Sequence, residues 1–155
     1  MANKNAAKGT RFEYLIRDKL TEKTGVQWDR VPMSGAGSMK GDLYCKSNHY
    51  FYCFECKSFK DSVIQENLLN AKSNNLYSWW AQTAREAREM NRKPALVFKK
   101  DRGKHLIAVM EVIPELNRIS LTSELGEEFV DVSIYLFDEW LAHKEIGELI
   151  LEGHV

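Results

Sequence analysis

The chain has 155 residues, 44% apolar and 28% charged. That is one domain's worth of sequence, too apolar for a disordered polymer and long enough to bury a core without disulfides or zinc. It has no run of about 18 apolar residues that would cross a membrane, and net charge is zero, but residues 1–110 hold 20 basic and 11 acidic groups while residues 111–155 hold 2 and 11.

That asymmetry points to a polyanionic partner for the basic part, or equally to a solubilising acidic end. The N-terminus, MANKNAAKGTRFEY, has no apolar segment ahead of its charges. No secretory signal is therefore expected, and a cytoplasmic location with three free thiols is.

In chain order, Phe12, Leu15, Ile16 and Leu20 fall at helical spacing and predict a first helix from about Ala6 to a stop at Gly25. Val26–Val31 reads as a short strand. Pro32–Lys40, with Pro, Gly and Ser, reads as a loop. Asp42–Lys46 and Tyr50–Ser58 read as two strands turning at Ser47-Asn48. Helical stretches are expected over 61–72 and 76–91, then strands over Ala95–Lys99 and His105–Glu111 around an Asp101-Arg102-Gly103 turn. Residues 129–137 look extended and 138–151 helical. The order predicts a mixed α/β sheet with helices on its faces.

The chemistry gathers in Gly41-Asp42 and Glu55-Cys56-Lys57. Alternate residues of a strand share a face, so Glu55 and Lys57 point the same way. With a turn centred on Ser47-Asn48, Asp42 lies opposite Cys53, on that same face and diagonal to Glu55. A slip of one residue would turn Asp42 away. Two carboxylates on one face repel unless a cation sits between them, and hard oxygen ligands suit Mg²⁺ or Mn²⁺. Lys57 would orient or help deprotonate a water there, or steady charge on a phosphate, and the Cys56 carbonyl is a further candidate ligand. An isolated E-x-K is usually an ordinary surface ion pair. Here Tyr50 to Phe54 make the strand look central and covered on both sides, where charge without a purpose or a partner is costly.

Four features in this order resemble the PD-(D/E)xK nuclease superfamily, and within it the archaeal-type Holliday junction resolvases, including versions carried by phages. They are the helix Lys8-Gly9-Thr10-Arg11-Phe12-Glu13, the loop Arg30-Val31-Pro32-Met33-Ser34-Gly35, Gly41-Asp42, and Glu55-Cys56-Lys57. Gly41 stands where that signature often has proline, a minor departure. The likeness covers roughly residues 8–110. It implies a single nuclease domain over 1–155 with an acidic extension from 111. It also implies a restriction-endonuclease-like, mixed five-stranded sheet flanked by helices on both faces. Asp42 and Glu55 would bind the metal, with the Cys56 carbonyl, and Glu13 would complete the site. Lys57 would assist the water, and Ser34, or its rival Ser38, would reach the phosphate. The implied activity is resolution of four-way DNA junctions by a homodimer making paired nicks, with 5′-phosphate and 3′-hydroxyl products. Neither a membrane nor a nucleotide cofactor is expected.

Lys8, Arg11, Ser38, Lys40, Lys60, Arg85 and Arg88 are candidate DNA contacts. Arg85, Arg88 and Arg92 share a helical spacing, with Glu86 and Glu89 as neutralising partners in the blander reading. Lys99, Lys100, Arg102 and Lys104 surround a turn. Of Trp79 and Trp80, one is expected in the core, and the other either packs there too, stacks on a base or fills a dimer interface. Cys45, His49, Cys53 and Cys56 offer a zinc-like spacing, but Cys53 and Cys56 differ by three in a strand and so face opposite sides. The alternatives that remain are a restriction-like, flap or repair nuclease on the same core, and a non-catalytic DNA-binding scaffold, with or without structural zinc.

Overall fold

The computed structural model describes residues 4–32, 39–125 and 128–153. Helix α1 (Lys4–Thr24) forms where Phe12, Ile16 and Leu20 recur every fourth residue, and that stripe is buried. Leu15 falls off the stripe and is 41% exposed. Gly25, with φ of +73°, ends the helix and donates its N–H to the Thr21 carbonyl. The Thr24 hydroxyl donates to the Leu20 carbonyl at 2.7 Å and accepts the buried Trp28 indole N–H at 3.0 Å. Strand β1 (Trp28–Arg30) is thereby pinned to the end of α1.

Strands β1, β2 (Leu43–Cys45), β3 (Tyr52–Phe59), β4 (Lys93–Lys100), β5 (Leu106–Val109), β6 (Ile119–Leu125) and β7 (Glu128–Leu136) form one sheet, in the order β1-β2-β3-β4-β5-β7-β6. The expected five strands are therefore seven among the described residues. The strand that sequence reasoning missed outright is β6. It lies at the sheet edge, largely exposed; Ile119 and Leu121 alternate with Ser120 and Thr122, but Ser123 interrupts the apolar face, and it is the pairing with β7 that defines the strand. No helix among the described residues is long and apolar enough to cross a membrane.

Among the described residues, only β3 and β4 run parallel. A parallel pair requires a crossover, here a single 3-10 turn (Glu66–Leu69) followed by α2 (Asn75–Glu89). The helix expected over 61–72 is reduced to that turn, in which Leu69 is 95% exposed. The buried Asn74 side chain starts α2 by accepting the Leu76 N–H at 2.8 Å, while donating to the Val63 carbonyl at 2.7 Å.

Helices cover both faces of the sheet. Ala95 and Val97 of β4 join α1, α3 (Phe137–Ala142) and α4 (Ile146–Ile150) in one core. Leu96 and Phe98 point the other way, into a core with Leu76, Trp80 and Ala84 of α2. Tyr50 and Phe51, expected to open β3, instead bond the C-terminal segment. Tyr50 bridges Leu151, and the Phe51 N–H donates to the Ile150 carbonyl at 2.8 Å. The β2–β3 register moves accordingly: Leu43 pairs with Phe54, where a two-residue turn at Ser47-Asn48 would have set it against Tyr52. A shift of two keeps every side chain on its face.

Replacing Thr24 by Val should leave the buried indole N–H of Trp28 without an acceptor. Urea unfolding should then show a loss of about 1–3 kcal/mol, against no change if the indole finds another partner.

Candidate active site

Glu55 sits in the middle of the third strand of seven and is only 5% exposed. Its face is the α2 face, because strand alternation separates it from Phe54, which packs in the α1 core. Asp42 is held just ahead of β2. Its own N–H donates to the Phe54 carbonyl at 2.7 Å, and its carbonyl accepts the Val31 N–H at 2.8 Å. Its Oδ2 accepts the Cys56 N–H at 2.7 Å. The carboxylate is thus fixed against the strand segment that carries Glu55 and Lys57.

Gly41 makes this approach possible. Its φ is +82°, and a Cβ there would lie 2.9 Å from both the Cys53 sulfur and the Phe54 carbonyl oxygen. Proline, locked near −65°, cannot adopt that conformation. The departure from the usual signature is therefore a different local route to the same Asp42.

The two carboxyls are electrostatically frustrated. Burial raises both well above the ordinary carboxylate range; Glu13 raises Asp42 further, and the charges of Asp42 and Glu86 raise Glu55 further. Hydrogen bonding from Cys56 opposes the shift at Asp42, and Lys57 opposes it at both. Lys57 is half-buried and makes no salt bridge among the described residues, so the ordinary E-x-K ion pair does not form.

Two further carboxylates flank this pair. Glu13 of α1 lies within hydrogen-bonding reach of Asp42 and is held by the Arg30 guanidinium at 2.7 Å. Glu86 of α2 lies within reach of Glu55, whose Oε1 also accepts the Gln82 side-chain amide at 3.0 Å. Sequence reasoning missed Gln82 and placed Glu86 beside arginines. The available signal was their i, i+4 spacing, which puts both on the side of α2 that faces the sheet.

The buried Glu55 Oε2 and Glu86 Oε2 have no hydrogen-bond partner among the described residues. No three His, Cys, Asp or Glu side chains stand ready as a metal cluster among the described residues. The donor set nevertheless fits a hard divalent cation: buried carboxylates, unpartnered oxygens, and too little positive charge nearby. It does not fit zinc at the cysteines. Cys56 packs against the α1 core and Cys53 faces the other way. Burial pushes the Cys53 thiol up to about 12, far from the thiolate that zinc requires.

The remaining candidates scatter. Ser34 and Ser38 lie outside the described residues. Lys8 is a helical residue paired with Asp101 at 2.8 Å. With the exposed Arg11, it lines a cavity of about 320 Å³ that also includes Ser58. Lys40 is half-buried beside Met90, and Lys60 is exposed just past β3. Arg85 and Arg88 are exposed on α2, and neither pairs with Glu86 or Glu89. Arg92 lies beyond the helix, where it covers the Tyr50 ring at 3.9 Å, so the three-arginine face does not form.

Comparison with known proteins gives one family and one relative. The family described as "Phage putative PDDEXK endonuclease" matches residues 4–150. Protein D14 of Escherichia phage T5 is 43% identical over 159 residues, covering 97% of this chain and 99% of that protein. No solved structure matches.

Two outcomes follow from the geometry. Gly41→Ala should destabilise the fold by about 1–3 kcal/mol and displace Asp42, read as a lower melting temperature together with weaker Mn²⁺ binding. For the metal-free protein, Asp42 and Glu55 have folded-state pKa values above their unfolded ones. Their contribution is fully present below about pH 4 and is lost as pH rises through the elevated values. Thermal unfolding in EDTA should therefore show stability falling from acid towards mildly alkaline pH. Added Mg²⁺ should restore more at the alkaline end, and an Asp42→Asn/Glu55→Gln variant should flatten both responses.

Proposed function

The chain belongs to the phage PDDEXK endonuclease family, and from that premise we propose that it is a metal-dependent endodeoxyribonuclease that resolves four-way DNA junctions, acting as a homodimer that makes paired nicks. The family makes DNA the substrate class. The observation that carries the catalytic reading is the pair of the half-buried Asp42 and the buried Glu55, short of positive charge and lying beside Lys57, which makes no salt bridge among the described residues. Junction selectivity and the dimer rest on the sequence resemblance and on the need to cut two strands symmetrically.

Asp42 and Glu55 would hold Mg²⁺ or Mn²⁺, with the Cys56 carbonyl and Glu13 beside them. When bound, such a cation neutralises charge developing on the phosphate. The protein's own contribution is positional. The Cys56 N–H aims Asp42, Gln82 aims Glu55, and Arg30 restrains Glu13. Lys57 would hold the attacking water by hydrogen bond, assist loss of its proton, and oppose negative charge at the phosphate. Water attack on phosphorus breaks the bond to the 3′ oxygen, leaving 5′-phosphate and 3′-hydroxyl ends. The exclusion of bulk solvent around Glu55 strengthens each of these interactions.

Cleavage of a synthetic four-way junction should be compared with matched linear and flap DNA in Mg²⁺ and Mn²⁺. Preferential paired nicking of the junction is expected. Equal cutting of all three would remove junction selectivity, and no cutting of any would remove the nuclease reading. Lys57→Ala should slow cutting about 10²–10⁴-fold with junction affinity nearly unchanged. A binding defect of equal size would contradict the role given to Lys57. Asp42→Ala should bind junctions without cutting them.

A further inference from the structure

On the α2 face lies a cavity of about 220 Å³ whose walls include Trp79, Phe98 and Leu106. It is smaller than the ~300 Å³ at which pockets for drug-sized ligands begin, so it admits one flat ring system and not a duplex. Trp79 is half-buried. It meets Phe59 edge-on at 5.7 Å and lies tilted to Phe98 at 6.3 Å, leaving an aromatic wall. Phe59 is itself 38% exposed. Trp80, its neighbour, is in the core.

Charge surrounds the opening. Lys100 and Lys104 line the cavity together with a single acid, Asp61. The register of the parallel pair brings it to the reaction site. Phe98 is the in-register neighbour of Lys57, and Lys100 that of Phe59. Neighbouring strands lie about 4.8 Å apart, and in-register residues share a face. A strand whose phosphate lies at Lys57 therefore passes the cavity within a single nucleotide.

We propose that this cavity binds one unpaired nucleobase of the DNA strand being cut, stacked on Trp79, with the adjoining phosphates meeting Lys100 and Lys104. The inference rests on the nuclease reading above and adds a source of structural selectivity. An aromatic face accepts any base, but only a branched or single-stranded region offers one unpaired. Fully paired DNA would have to give up its stacking to fill the pocket.

The test uses the whole protein in EDTA, so that it does not depend on cutting. Binding of a fluorescein-labelled short oligo(dT) is read by anisotropy, alongside a blunt duplex and an abasic oligonucleotide of the same length. Trp79→Ala should bind oligo(dT) about tenfold more weakly, with duplex and abasic binding unchanged. Trp79→Phe, which keeps a stacking face, should recover most of the affinity. Thermal unfolding identifies variants that remain folded, and the quenching of wild-type tryptophan fluorescence carries the test if the alanine variant does not. Trp28, Trp80 and Trp140 are buried, so quenching of wild-type tryptophan fluorescence by oligo(dT) should report Trp79. No quenching, equal loss on all three probes, or no loss on any would each overturn the proposal. Failure of the nuclease reading would appear separately, as absence of cutting by a protein that still binds oligo(dT) through Trp79.

Discussion

Two carboxylates, the half-buried Asp42 and the buried Glu55, lie close together, and Lys57 is the cationic side chain that opposes their charge. An ionised carboxylate costs several kcal/mol to desolvate even after relaxation, and neighbouring acids raise the cost, Asp42 and Glu86 for Glu55 and Glu13 for Asp42. Such an arrangement persists because the surrounding fold over-determines it. The scaffold supplies the backbone N–H of Cys56 to one acid and the amide of Gln82 to the other. Its apolar strands bury Glu55 and leave Asp42 half-buried, which reduces the screening that water would supply.

The topology follows from that requirement. A central strand covered on both faces needs helices on both sides, and each of the two main helices brings one more acid, Glu13 from α1 and Glu86 from α2. The parallel pairing of β3 with β4 sets Phe98 of the aromatic wall in register with Lys57, and Lys100 two residues further along. The acidic end of the chain is not a detached tail. It contributes β7, which lies between β5 and β6, and the α3 and α4 residues Trp140, Ile146 and Ile150, which pack under α1. Its segment at Ile150–Leu151 also holds Tyr50 and Phe51, and so sets where β3 begins.

Much of this was legible in advance, for identifiable reasons. The α1 stripe of Phe12, Ile16 and Leu20 is periodic and strongly apolar, and β3 is a dense apolar run, so both elements are written locally. The shared face of Asp42, Glu55 and Lys57 survived an error in the hairpin register because that error was an even number of residues. Gly41 looked like a neutral variation, and only its positive φ and the contact with Phe54 reveal that nothing larger fits. Arg92 looked like part of a basic helical face until α2 stopped short of it and Tyr50 claimed it.

The amino-acid order alone determined the class of fold, the identity of the central charged strand and the chemistry of its polar residues, because alternation and helical spacing are short-range properties. The tertiary structure decided which distant groups join them. Glu86 turns inward, the hairpin opens to admit the C-terminal segment, and Trp79 rather than Trp80 borders a cavity. These outcomes depend on how helices and edge strands pack across the sheet, where burial and pairing partners come from residues far apart in the chain.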